Sequence, residues 1–272
     1  MGTALRGLEV KNGEYHLENL RLISRLDLKG SNLIKSVNLE GLKVIGDPKE
    51  YALKYYKEGA DELILIDLVA SLYGRQTSLD VIQRICEEVF IPVTVGGGIR
   101  SIADAQKLLA SGADKIAINT GAVSSPGLVA ELVDEFGSQS VTISIEAKEV
   151  SKGWEVFVEN GRQRTGIDVR HWIYSCQKAG AGEILLTSID REGTGEGFDL
   201  DLLRALKSDI DVPLIVSGGM GKLKDISEVA QFDVGAIAMA HVLHNDILSL
   251  RDIRKYANEN GVRVRKFETL TM

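Results

Sequence analysis

Val93-Thr94-Val95-Gly96-Gly97-Gly98 and Leu214-Ile215-Val216-Ser217-Gly218-Gly219 are two apolar, β-branched runs, each ending in a glycine turn. Val95 pairs with Val216, an offset of 121 residues. The same offset lays Asp61-Glu62-Leu63-Ile64-Leu65 on Gly182-Glu183-Ile184-Leu185-Leu186. It also lays Ile116-Ala117-Ile118-Asn119-Thr120 on Ile237-Ala238-Met239-Ala240-His241. Three separate segments agreeing on one offset point to an internal duplication. Short β-branched runs alternate with longer amphipathic ones, which predicts strands at 21–27, 62–67, 92–96, 115–119, 140–146, 183–188, 213–217 and 235–239. Helices are predicted at 48–58, 78–89, 102–111, 126–136, 167–179, 200–207, 223–231 and 248–260. Gly59, Gly112 and Gly180 end three of them. Eight strands alternating with eight helices imply right-handed crossovers around a parallel sheet. Either an open doubly wound sheet or a closed barrel satisfies that order. The duplication favours an α/β (β/α)₈ TIM barrel built from two (β/α)₄ halves, because four units taken twice close on themselves.

Residues 1–20 match neither half and read as a short N-terminal extension, leaving 21–272 for the barrel. With 44% hydrophobic residues the chain can bury a substantial core, and a net charge of -7 argues against general nucleic-acid binding. Cys86 and Cys176 have no metal-ligand or Cys-x-x-Cys spacing, so they read as buried thiols in a reducing compartment. No apolar run approaches the roughly 18 residues that span a bilayer, and no signal-peptide pattern opens the chain. A cytoplasmic protein with neither membrane nor nucleic-acid partner is expected. His16 and His171 read as structural, while His241 follows the eighth strand and His244 starts the last connection. No grouping suggests a metal or a cofactor, and no nucleophile–His–acid triad is visible.

Barrel active sites form where strands end, so the residues just after each strand carry the functional expectations. The first strand ends in Arg25-Leu26-Asp27-Leu28-Lys29, and its repeat mate in Ser144-Ile145-Glu146-Ala147-Lys148. Asp27 and Glu146 are 119 apart, two short of the common offset, which a small deletion would absorb. They should emerge on opposite sides of the mouth. Two carboxylates across a small site suit general acid/base work, because neighbours can drive their pKa values apart. Capping turns or pairing with Lys29 and Lys148 is the alternative, and spacing alone leaves both open. The glycine turns let backbone N–H groups approach an oxyanion, though a tight strand-to-helix turn needs glycine too. Asn119-Thr120 and Ala240-His241, after the next strands, join these turns as a pair of phosphate cradles. A ligand phosphorylated at both ends would suit them. The segment 151–161 alternates like a strand and should form a hairpin beside the mouth.

From Arg21 to Lys266 the chain resembles the cyclase subunit family of imidazole glycerol phosphate synthase, a (β/α)₈ barrel of histidine biosynthesis. The resemblance rests on Gly59-Ala60-Asp61-Glu62-Leu63, Val95-Gly96-Gly97-Gly98-Ile99-Arg100, Gly112-Ala113-Asp114-Lys115, Ile118-Asn119-Thr120 and Phe136-Gly137-Ser138-Gln139. Most specific is the long block Gly180-Ala181-Gly182-Glu183-Ile184-Leu185-Leu186-Thr187-Ser188-Ile189-Asp190-Arg191, followed by Gly193-Thr194 and Ser217-Gly218-Gly219. The resemblance implies an ammonia-using lyase. A partner glutaminase, bound as a heterodimer, makes NH₃ that crosses the barrel to a bisphosphorylated aminoimidazole carboxamide ribonucleotide. Cyclisation gives imidazole glycerol phosphate and releases the carboxamide ribonucleotide. The family's catalytic carboxylates fall on Asp27 and Glu146, and its mobile-loop lysine on Lys35. Its phosphate positions fall on Gly98, Asn119, Thr120, Gly193, Gly219 and Ala240, with Gly97, Thr187, Ser217, Gly218 and His241 beside them. The charged ammonia gate falls on Arg21, Glu62, Lys115 and Glu183.

Several positions depart from the family. Glu146 replaces an aspartate, Met220 replaces a small residue, and His241 stands where a serine is usual. The first loop, Lys29-Gly30-Ser31-Asn32-Leu33-Ile34-Lys35, lacks the usual Asp-Gly. Arg25 replaces a small residue, and strand alternation points it into the barrel, where it should pair with Glu146 or a neighbouring acid and could set specificity. All these changes face the substrate, while the gate is intact. Two other readings therefore stand beside the cyclase. One is a paralogue that forms acetamidino groups on surface-polysaccharide sugars with a glutaminase partner; the other is a non-catalytic scaffold that regulates a glutaminase.

Overall fold

The computed structural model describes residues 10–11, 14–15, 19–70 and 78–267. Eight parallel strands form the barrel: β1 (Arg21–Lys29), β2 (Glu62–Asp67), β3 (Val93–Gly96), β4 (Lys115–Ile118), β5 (Val141–Val150), β6 (Glu183–Ser188), β7 (Leu214–Ser217) and β8 (Ala236–Met239). Each pairs with the next, β8 pairs with β1, and the sheet closes into a barrel. The offset of 121 carries the bounds of β2, β3 and β4 onto those of β6, β7 and β8 residue for residue. Register locates the two missing residues. Asp27 lies opposite Ile66 and Glu146 opposite Thr187, so the carboxyls occupy equivalent points of the two halves.

The predicted helices all form, most of them shorter by one to three residues at an end. Helix Pro48–Glu58 begins where expected because Asp47 accepts the Lys49 and Glu50 N–H groups and proline tolerates the first turn. It stops because Gly59 takes a left-handed φ of 95°. The helix expected from 167 begins at Val169 instead, since Ile167 and Asp168 finish a strand. Short helices Thr120–Ser124 and His241–His244 follow β4 and β8 at positions related by the same offset.

Side chains leave each barrel strand in alternate senses. Outward ones, such as Leu22, Leu63, Leu65, Val95 and Ile118, pack under the helices in one large core. Inward ones, Ile23, Ile64, Leu185, Ile215, Ala236 and Ala238, form a separate aliphatic layer across the lumen. That layer separates the two polar ends of the axis.

Two hairpins flank the mouth. β1 runs on into strands Asn32–Val37 and Glu40–Gly46, where a loop was expected. β5 runs on into Gly153–Val158, the expected hairpin, and then Gln163–Asp168. Their tips meet: Leu39 packs with Phe157 and Ile189, and Asn160 Nδ2 donates to the Leu39 carbonyl at 3.1 Å. Of the N-terminal extension, a two-residue ladder, Val10–Lys11 with Glu14–Tyr15, and residues 19–20 fall within the described residues; His16 lies outside them.

Candidate active site

Alternation along β1 sends Arg21, Ile23, Arg25 and Asp27 along the barrel axis in that order. Asp27 is buried at the mouth, where Arg25 Nε donates to its Oδ1 at 2.8 Å; Oδ2 is buried with no hydrogen-bond partner among the described residues. Arg25 therefore pairs with the neighbouring acid, not with Glu146. Its Nη1 reaches across to Thr187 Oγ1 on β6 (3.0 Å) and Ser217 Oγ on β7 (3.2 Å). Burial works against the guanidinium, but Asp27, Glu192 and Glu146 outweigh it and keep the group charged.

Glu146 is buried on the opposite side. Burial pushes its carboxyl up to about 7, although the Gly161 N–H, donating to Oε2 at 2.8 Å, and the Arg25 charge pull it down. The charges of Asp27 and Glu159 raise it further. A carboxyl that exchanges its proton near neutral pH is what acid/base chemistry requires.

Lys35, implied to ride a loop, sits on the first hairpin strand, buried and ion-paired with Glu192. The hairpin is closed down, with Asn38 N–H donating to the Glu192 carbonyl at 2.7 Å. Burial alone would raise Glu192's carboxyl; Lys35 and Arg25 outweigh burial and hold it below the ordinary value. Sequence reading missed Glu192, because an acid in a glycine-rich turn looks solvated.

Each expected cradle lines a cavity. Gly97, Gly98, Asn119 and Thr120 share one of about 540 Å³ with Arg100, Ser144, Asn160 and Glu146. Gly193, Gly218, Gly219, Ala240 and His241 share one of about 230 Å³ with Met220 and Glu192. Gly97 and Gly219 have φ of 114° and 104°, and a Cβ at Gly219 would run into the Gly197 carbonyl. Glycine is thus required by the turns themselves, with or without an anion. Asn119 donates to the Phe157 carbonyl (3.3 Å) and Thr120 Oγ1 accepts from Glu159 N–H (3.2 Å), which ties the first cradle to the second hairpin. Thr187 and Ser217 are in the site, but their hydroxyls face Arg25. His241 is shifted down by burial and by Lys35, against the Glu192 charge. His244 is not a mouth residue: it is buried, pushed down to about 3 mainly by burial, and meets the Tyr55 hydroxyl at 2.6 Å.

At the other end of the axis four charges form a ring. Arg21 donates to Glu62 and Glu183, both at 2.6 Å, and Lys115 meets Glu62 at 3.5 Å and Glu183 at 3.1 Å. Two cations and two anions leave the ring neutral. Among the described residues no cluster of His, Cys, Asp and Glu could hold a metal ion, and no helix is long and apolar enough to cross a membrane.

The family model described as "Histidine biosynthesis protein" matches residues 21–249. Curated relatives named "Imidazole glycerol phosphate synthase subunit HisF" align over most of the chain. The one from Legionella pneumophila is 57% identical over 212 residues, 78% of this chain and 100% of the relative. Those from Pyrobaculum aerophilum and Dictyoglomus thermophilum are 45% and 43% identical, each covering 90% of this chain and 98% of the relative.

Proposed function

The chain belongs to the histidine biosynthesis protein family, and we propose on that premise how its residues carry out the chemistry. The protein acts as the cyclase subunit of imidazole glycerol phosphate synthase, a lyase of histidine biosynthesis. The bisphosphorylated aminoimidazole carboxamide ribonucleotide spans the mouth with one phosphate in each glycine cradle. Arg100 and the Gly98 turn hold one end, and the Gly193 and Gly219 turns hold the other. Ammonia enters through the ring of Arg21, Glu62, Lys115 and Glu183. It crosses the aliphatic layer as neutral NH₃, which apolar side chains pass far more readily than an ion. Asp27 and Glu146 move the protons of nitrogen addition and ring closure, and Lys35 closes over the substrate.

One observation carries this reading: two equivalent buried carboxyls at one end of the axis and a neutral ring of paired ions at the other. Desolvating four ions at a strand-start rim is costly unless they serve one another or a passing molecule. A silent scaffold has no use for two buried carboxyls at equivalent points of the mouth, and the relatives named above carry the histidine-pathway name.

The partner is a glutaminase subunit that docks on the ring face. Phe90, three residues before β3 and therefore at that end, leaves 77% of its surface exposed and has its ring edge-on to Tyr56. The cytoplasm suits both cysteines, which are free thiols that burial pushes up to about 11 (Cys86) and about 12 (Cys176). Purified protein given the bisphosphate and an ammonium salt should consume it, seen as loss of its absorbance. No turnover would sink the reading.

A further inference from the structure

Arg25 is a cation whose charge reaches both carboxyls of the mouth, and its geometry is unusually constrained. It is held from three strands: Nε on Asp27 of its own strand, Nη1 on Thr187 of β6 and Ser217 of β7. The side chain is 3% exposed. Thr187 lies in register with both Glu146 and Ser217, so the anchors of the guanidinium share a layer with the second carboxyl. Arginine cannot give up its proton at any working pH, which makes it a fixed charge in a place where every other group can change.

We propose that Arg25 is a positioning residue: it engages one oxygen of Asp27, presents the other to the incoming nitrogen, and holds a fixed positive charge in the layer shared with Glu146. The inference rests on the cyclase reading for what the site does, but its central claim concerns the protein alone. Asp27 Oδ2 is the buried, unpartnered oxygen this division of labour requires. Glu146 meets the charges of Arg25 and Asp27 from β1 and of Glu159 from the second hairpin, with the Gly161 N–H on its Oε2. Lys35 is taken by Glu192, and His241 faces Lys35 and Glu192 rather than Glu146. Arg100 lines the cavity of Glu146 from the loop after β3, and Arg25 is the cation that acts on Glu146 from the barrel axis, against the two neighbouring acids.

The signs follow from Coulomb's law. Removing Arg25 makes ionising Glu146 harder and moves its titration up; removing Asp27 makes it easier and moves the titration down. ¹³C-glutamate carboxyl NMR of the whole protein, with Glu146→Gln to assign the resonance, reads this without any substrate. Arg25→Met is expected to raise the Glu146 midpoint by about one pH unit or more, the range for a nearby opposite charge. Asp27→Asn should lower it, and Arg25→Lys should keep it close to the native value. If Arg25→Met does not fold, Asp27→Asn and the Arg25→Met/Asp27→Asn pair, which leaves no buried unpaired charge, give the same quantity by difference. The pH limb of ammonium-driven turnover should move with the NMR midpoint. An unmoved midpoint without Arg25 would overturn the proposal. Absence of turnover in the native protein would instead overturn the cyclase reading and leave the NMR result to decide the role of Arg25.

Discussion

Glu183→Gln tests whether the ring at the strand starts works as a unit. Glu183 accepts from Arg21 at 2.6 Å, Lys115 at 3.1 Å and Thr142 at 3.4 Å, so one nearly isosteric change removes two ion pairs. The glutamate side chain is only 8% exposed, whereas Arg21 and Lys115 are 26% and 21% exposed. Breaking a fully buried pair costs about 3–5 kcal/mol, and an exposed one about 0–1 kcal/mol. The cations can recover part of their hydration, so about 2–3 kcal/mol is expected. For a domain of this size that is a fall in melting temperature of about 4–10 °C. The ring also changes from neutral to a net positive charge. Adding Lys115→Met restores neutrality, so the double variant should melt higher than the sum of the single effects allows, by at least about 1 kcal/mol. Calorimetry of the four proteins measures this. With the glutaminase partner present, glutamine-driven turnover should fall further than turnover driven by added ammonium. Strict additivity of the two substitutions, together with equal losses from both nitrogen sources, would refute a coupled gate.

Glu146 holds a proton in the folded protein up to about pH 7, while an unfolded carboxyl gives it up near 4.5, so stability falls as pH rises through that window. Glu146→Gln should therefore be near neutral at pH 5 and stabilising by about 2–3 kcal/mol at pH 8, read by urea titration at each pH. Leu39, 1% exposed between Phe157 and Ile189, pins the first hairpin shut, so Leu39→Ala should speed proteolysis around residues 38–41 by roughly tenfold or more. The barrel's melting temperature should barely move, and a large fall would show that the hairpin is part of the global core. Arg100→Gln removes a cation from the first cradle and should raise the KM for the bisphosphate about tenfold. An unchanged KM would place the phosphate elsewhere.

Much of the frame was legible because it repeats. The offset read from Val95 and Val216 fixes strand bounds in both halves, and the shortfall at Asp27 and Glu146 is real in the register. Helix ends were legible where a glycine or an acidic cap enforces them, as at Asp47 and Gly59. The first hairpin was not. Its turn is Asn38-Leu39, with φ of 50° and 61°, and a leucine in that region announces no turn; it is held there by burial against the second hairpin. Glu192 was hidden for a similar reason, since its meaning comes from Lys35, 157 residues away. For Arg25, alternation gave the face of the strand but not the rotamer, and the rotamer chose Asp27 over Glu146.

Duplication made the two cradles alike in backbone, yet their side chains have diverged in a way that couples one of them to the hairpin. The larger cavity carries Arg100 in its lining. The smaller one carries the Glu192 carboxylate and a histidine whose protonation burial and Lys35 disfavour, so an anion entering it meets a like charge. That charge is offset by Lys35 and Arg25. Lys35 is on the hairpin, and its pairing with Glu192 exists only while the hairpin is closed. On the proposed reading, an anion in the smaller cradle must therefore favour the closed hairpin, and by reciprocity the closed hairpin must favour the anion. The larger cradle is tied instead to the second hairpin, through Asn119 on the Phe157 carbonyl and Thr120 on the Glu159 N–H. A ligand with a phosphate at each end can anchor first through the cradle near Arg100 and close the site through the other, so the divergence gives two duplicated turns an order of use.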